Sequence, residues 1–115
     1  MDRLRRPEEF RRVLRGGRSR ASRGIVVHVR EQDGGGQARL GLVVPKAVGG
    51  AVVRNRMKRR LRAIWREAGP GAGIECVIVV RTEAASLSYG ELRETVEHCL
   101  GRAASARKLP AEVAR

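Results

Sequence analysis

Apolar residues fall into separated runs along the chain, and the spacing within them switches between a helical and an extended period. Phe10, Val13 and Leu14 recur at helical spacing behind Pro7, Glu8 and Glu9, which suit a first helical turn, and Gly16-Gly17 ends the run. Residues 24–29 and 39–44 are β-branched runs separated by Asp-Gly-Gly-Gly at 33–36, a loop of the kind that closes a hairpin, and Pro45 limits the second of them. From 51 to about 68, Val53, Met57, Leu61, Ile64 and Ala68 form a helical stripe stopped by Gly69-Pro70-Gly71. Residues 74–80 are a continuous apolar run, the pattern of a central strand buried on both faces. Ser88 and Glu91 make a capping box for a last helix over about 88–103, with Leu92, Val96, Cys99, Leu100 and Ala103 on one side. The resulting α-β-β-α-β-α string predicts an α+β fold in one domain spanning 1–115, with residues 1–6 and 105–115 expected to be flexible.

Composition adds the partner class. The 115 residues carry 25 Lys+Arg against 12 Asp+Glu, a formal net charge of +13, and only 3% are aromatic. Leu, Ile, Val and Phe make up 28 residues, about 24%, above the roughly 20% below which a strongly charged chain stays disordered. The excess charge sits in two blocks: residues 1–30 and residues 54–66 each carry +7, while 31–53 balance and 67–115 sum to −1. Cys76 and Cys99 lack metal-ligand or redox spacing and read as small core residues. With no run long enough to span a bilayer and no secretory signal, a soluble cytoplasmic protein without a membrane partner is expected.

On a helical wheel, the apolar stripe of 53–68 occupies an arc of about 80° and Arg54, Asn55, Arg56, Lys58, Arg59, Arg62 and Arg66 fill roughly 200° opposite it. A solvated face normally mixes charge signs. Positions 54, 58, 62 and 66 instead form a ladder of like charges, each neighbouring pair costing about 0.2–0.5 kcal/mol in isolation. A polyanion removes that penalty and adds counterion release, so the segment predicts nucleic-acid binding. Arg60 falls at the margin of the stripe, and its role stays open.

The segments LGLVVPK (40–46) and VGGAVVRNRMKRRLR (48–62) resemble the protein subunit of bacterial ribonuclease P, whose most specific motif stands here as RNRMKRRLR. Glu9-Phe10, Gly17-Arg18, Val80-Arg81 and LSYGEL (87–92) follow in family order, so the likeness covers about residues 3–104. It implies a mostly antiparallel sheet packed with helices and a left-handed βαβ crossover. It also implies a subunit without catalytic residues or a metal site, whose partner, a catalytic RNA, removes the 5′ leader of precursor tRNA with Mg²⁺ held mainly by the RNA. No obligate protein partner is implied. The protein then binds that RNA, holds the leader in a cleft between the sheet and the first helix, and lowers the Mg²⁺ requirement.

Carried over position by position, the resemblance assigns Arg54, Arg56 and Arg59, with Arg66 and Lys46, to the RNA subunit. It assigns Phe10, Leu14, Val26, His28, Asn55, Lys58 and Arg62 to the leader. Leu14 and Ile25 replace positions that are often aromatic, and His28 stands where Tyr or Phe is common, so leader stacking is expected to be weaker here. Pro45 and Ala47 interrupt a stretch that is often Ser-Lys-Lys, leaving Lys46 as its only cation.

Two other readings compete with this one. A protein-only nuclease needs clustered carboxylates, whereas the aspartates are only Asp2 and Asp33 and the glutamates are scattered. A basic structural module of ribosomal or nucleoid type fits the composition equally well and differs in having no need of a single-strand groove. The glycines at 34–36 lack the context of a phosphate loop and read as a plain turn.

Overall fold

A computed structural model describes residues 2–32 and 35–112 of the chain. The elements run β1 (Asp2–Arg3), α1 (Pro7–Gly16), β2 (Arg18–Ser22), β3 (Ile25–Glu31), β4 (Arg39–Val43), α2 (Ala51–Ala68), β5 (Ile74–Val80) and α3 (Tyr89–Glu112), with 3-10 turns at Lys46–Val48 and Thr82–Ser86. One mixed sheet is ordered β1-β4-β5-β3-β2. Its β2–β3 and β3–β5 ladders are antiparallel, and β4–β5 and β1–β4 are parallel. No helix among the described residues is long and apolar enough to cross a membrane.

The hairpin expected between 24–29 and 39–44 does not form. β5 lies between them, paired with β3 over seven residues and with β4 over five. The most apolar strand thereby takes the centre, where both of its faces are covered, and β4 reaches it through α2 as a parallel crossover. The hairpin that does form is β2–β3. Its two-residue turn, Arg23-Gly24, has φ of 51° and 84°, the doubly left-handed geometry of a type I′ turn. Asp33 and Gly34 of the expected loop lie outside the described residues.

One sheet face carries the larger core. Ile25, Val27 and Val29 stand beside Val80, Ile78 and Cys76, and this layer joins Met57, Leu61, Ile64 and Trp65 of α2 and Leu92, Val96 and Cys99 of α3. Val53 and Ala68, at the edges of the predicted α2 stripe, are only half-buried, while Trp65 is buried outside it. Cys76 and Cys99 are free, buried thiols, and burial pushes both pKa values up. The Ser88 capping box forms: Ser88 Oγ accepts from the Glu91 N–H at 3.1 Å and Glu91 Oε1 accepts from the Ser88 N–H at 2.9 Å. α3 continues past the expected end near 103 to Glu112.

The other face lies under α1, and the strand register arranges it in rows. Arg30, Glu75 and Arg39 form one row, His28, Val77 and Gly41 the next, and Val26, Val79 and Val43 the third. Glu75 is fully buried. Arg12 of α1 donates to it through Nη2 at 2.7 Å and Nε at 3.3 Å, Arg30 donates through Nη1 at 3.1 Å, and Arg39 Nη1 lies 3.6 Å away. In the second row the missing side chain of Gly41 makes room for Phe10, since a Cβ there would stand 2.6 Å from the ring. Within the N-terminal segment expected to be flexible, Asp2 and Arg3 pair with Arg39 and Leu40, and Leu4 is buried with Val13 and Val77. Two hydrogen bonds fix the entry to α1, where Glu9 Oε1 accepts from the backbone N–H groups of Arg5 and Arg6 at 2.8 and 3.0 Å.

Two stability predictions come from these contacts. Glu75→Gln removes the buried counter-charge that three partly exposed guanidinium groups share beneath α1 and is expected to cost about 2 kcal/mol, measured by urea unfolding; an unchanged midpoint would show that the ion cluster does not hold α1 down. The Glu9 carboxyl is lowered from 4.5 to about 2 by the Arg6 and Arg5 N–H groups and by Arg39. A depressed carboxyl stabilises the fold fully above the unfolded value and ceases to do so as pH falls through the folded one. The stability gap between wild type and Glu9→Gln is therefore expected to close between pH 4.5 and about 2, followed by denaturant melts across that range.

Candidate nucleic-acid interface

α2 begins at Gly50 without a side-chain cap or an acid in its first turn and ends at Gly69 in the left-handed conformation. Its burial divides the basic residues into three groups. Arg56, Arg59 and Arg66 are exposed and, with exposed Val52 and Asn55, run along the outward side. Lys58 and Arg62 are half-buried on one flank, and Arg60 is half-buried on the other. Lys46 is exposed in the 3-10 turn that leads into the helix.

Arg54, which the resemblance groups with Arg56 and Arg59, stands on a different side of the helix. At 100° per residue Arg54 points about 160° away from Arg56, and its Nε donates to the Gly49 carbonyl at 3.1 Å. Arg54 thus braces the loop before α2 and is half-buried, whereas Arg56, Arg59 and Arg66 are the exposed arginines of the helix. Arg60 acquires a setting that the sequence left open: its charge acts on Tyr89 of α3, whose hydroxyl donates to Glu67 at 2.9 Å. Arg93 of α3 also pairs with Glu67 at 3.3 Å, so the one acid of α2 serves the helix seam.

The second candidate surface is the third row of the sheet and its surroundings. Val26, Val43 and Val79 are only half-buried, and His28 in the adjacent row is half-buried beside Val77. Phe10 packs against the same layer, joined to Val43 and Val79 in the cluster around Val77. Leu14, one turn further along α1, is left 40% exposed. Ala21 and Ser19 of β2 extend the floor outward as the register partners of Val26 and His28. The structure therefore brings Phe10, Val26 and His28 onto one face, with Leu14 on its α1 side.

Val43, Val79 and Ala21 belong to this floor but were not among the predicted residues. Val43 and Val79 could have been found by period-two alternation once β5 was placed beside both β3 and β4. Arg3 was missed as well. Burial, and after it the charge of Arg3, pull the Arg62 guanidinium pKa down, so the two cations act on each other. Neighbouring like charges of this kind favour an anion between them.

Metal chemistry finds little support in the chain's own side chains. Among the described residues no three His, Cys, Asp or Glu side chains converge. The one fully buried carboxylate, Glu75, is enclosed by guanidinium groups that would repel a cation. Magnesium prefers hard oxygen ligands, and these residues do not fit it.

Comparison with known proteins follows the same lines. The Ribonuclease P family profile matches residues 1–104. The chain is 39% identical over 103 residues to the ribonuclease P protein component of Shouchella clausii, covering 88% of this chain and 84% of that one. It is 44% identical over 101 residues to that of Beutenbergia cavernae, covering 86% and 85%. The Staphylococcus aureus RNase P protein superposes with a TM-score of 0.81 at 27% identity, covering 90% of this chain and 95% of that one. For the Thermotoga maritima RNase P protein the TM-score is 0.73 at 28% identity, with 85% and 94% covered.

Burial lowers the His28 pKa from 6.5. The cation is therefore disfavoured in the fold, and this residue withdraws stability as pH falls below about 6.5. An NMR titration of the imidazole protons is expected to give a midpoint under 6.5 in the free protein. Adding a short single-stranded RNA is expected to move the midpoint upward, because a nearby phosphate favours the cation; a midpoint that stays put would separate His28 from any RNA path.

Proposed function

This chain belongs to the ribonuclease P protein family, and from that membership we propose how its two surfaces divide the work of the ribonucleoprotein. The outward stripe of Arg56, Arg59 and Arg66, with Lys46 at its approach, binds the catalytic RNA. From 56 to 66 the helix rises about 15 Å, enough to touch several successive phosphates. Guanidinium forks suit phosphate oxygens bidentately, which a mixed-sign face could not do.

The half-open sheet face receives the single-stranded 5′ leader of precursor tRNA. Unstacked bases rest on the Val26, Val43 and Val79 floor and on the flat imidazole of His28, which is neutral at pH 7 and so stacks without desolvating a charge. Phe10 and Leu14 bound the floor on the α1 side. Arg62, Lys58 and Arg3 supply the positive rim that the leader backbone needs. Arg54 acts at one remove, by fixing the loop that aims α2.

In this reading the chain holds RNA and does not cut it, and Mg²⁺ belongs to the RNA subunit. The protein acts in the cytoplasm, where the precursor is made. By neutralising phosphates near the junction of leader and tRNA it lowers the Mg²⁺ concentration at which the complex forms. The observation that carries this reading is the coexistence, on one small domain, of a row of exposed arginines on α2 and a separate half-exposed apolar floor. A structural RNA binder needs only the first.

The test is single-turnover cleavage of a 5′-extended precursor tRNA by a bacterial ribonuclease P RNA at limiting Mg²⁺. Wild-type protein is expected to accelerate cleavage only when the RNA is present. Arg56→Ala/Arg59→Ala is expected to need about tenfold more protein for the same effect, and His28→Ala to weaken only substrates that carry a leader. Cleavage without the RNA would place an active site in the protein. Binding without acceleration would favour the structural module.

A further inference from the structure

On the flank of α1 turned away from the leader face, Glu8, Arg11, Arg12, Arg15 and Gly16 join Arg30 of β3 in lining a hollow of about 460 Å³. At 100° per residue, positions 8, 12 and 15 lie about 100–160° around the helix from Phe10 and Leu14, so this hollow and the leader floor face different ways, with Arg11, about 60° from Leu14, at the boundary between them. Two of its walls are set rigidly. Glu75 takes two donors from Arg12 and one from Arg30. A guanidinium has five donors, so both side chains are anchored with donors to spare.

The balance of charge is equally specific. Four arginines against Glu8 on the walls and Glu75 behind them leave two positive charges in excess. Arg11 and Arg15 lie at i,i+4, a repulsive spacing for like charges, and neither is paired with a carboxylate among the described residues. A structural ion cluster would have no use for those two. A ligand with negatively charged oxygens would meet anchored guanidinium groups below and adaptable ones above.

We propose that this hollow is a second phosphate site, which grips the RNA backbone on the opposite flank of α1 from the leader floor. It rests on the RNA-binding reading above and adds a contact outside the α2 stripe and the sheet face. The phosphates can come from the RNA subunit or from a leader long enough to wrap around α1. Their chemistry at the site is the same.

Arg11→Ala/Arg15→Ala tests it, because both residues are exposed and Arg12, Arg30 and Glu75 are kept, so the fold is retained. Affinity would be measured against salt for two ligands, the isolated RNA subunit and single-stranded leaders of increasing length. The salt dependence, log K against log salt, is expected to lose about 1 to 2 units of slope. A loss confined to the RNA subunit, or one confined to the longest leaders, supports the site and identifies the source. Arg81→Ala/Arg93→Ala removes the same charge elsewhere. If it lowers the slope as much, or if the Arg11/Arg15 variant leaves the slope unchanged on both ligands while wild type binds them, the hollow is not a site. Wild type that binds neither ligand would overturn the RNA-binding reading itself.

Discussion

The carboxylate of Glu75 has no contact with water, and three guanidinium groups from three different elements surround it. Arg30 and Arg39 come from the strands on either side of β5, and Arg12 descends from α1. A lone ionised carboxylate in that position would carry a desolvation penalty of several kcal/mol, so the strand can be central only if the arginines arrive. The same requirement decides where α1 sits. Once Arg12 is tied to the first row of the sheet, Phe10 must lie over the second row, where Gly41 leaves room for the ring. The third row is then left half open, and the apolar floor is what α1 leaves uncovered.

Arg39 links this cluster to the chain terminus. It lies 2.7 Å from Glu9, the residue that also caps the start of α1, and its strand neighbour Leu40 pairs with Arg3. The helix entry, the edge of the sheet and the buried ion cluster therefore form one connected unit. Through that unit the charge of Arg3 acts on Arg62 of α2, so two distant parts of the chain contribute to one positive region.

Sequence legibility follows from the range over which each cause acts. The helices could be read because their causes are local: Pro7 and Gly16-Gly17 bound α1, the apolar stripe and Gly69 define α2, and Ser88 with Glu91 starts α3. The strand 74–80 could be read as central because its composition already demands two covered faces. Strand pairing could not, since a glycine loop after β3 looks like a hairpin whether or not another strand inserts. β2 carries almost no apolar signal, and only the Arg23-Gly24 turn betrays it. Within the candidate site, Val26 and His28 were legible by alternation along one strand. The burial of Glu75 was not, because its three partners lie 36, 45 and 63 positions away. The different setting of Arg54 was not legible either, because the motif keeps it beside Arg56 in sequence while the helix turns the two apart.

The outer edge of the sheet is β2, whose five residues include Arg18 and Arg20 and which ends at a tight turn. An unpaired edge offers its backbone to any strand of matching length, including that of an identical molecule. Two copies meeting there would have to bring their arginines together without water or phosphate between them. The opposite edge, β1, is only two residues long and offers little to pair with. The arginines on β2 and the shortness of β1 therefore both disfavour edge-to-edge pairing between copies of the chain.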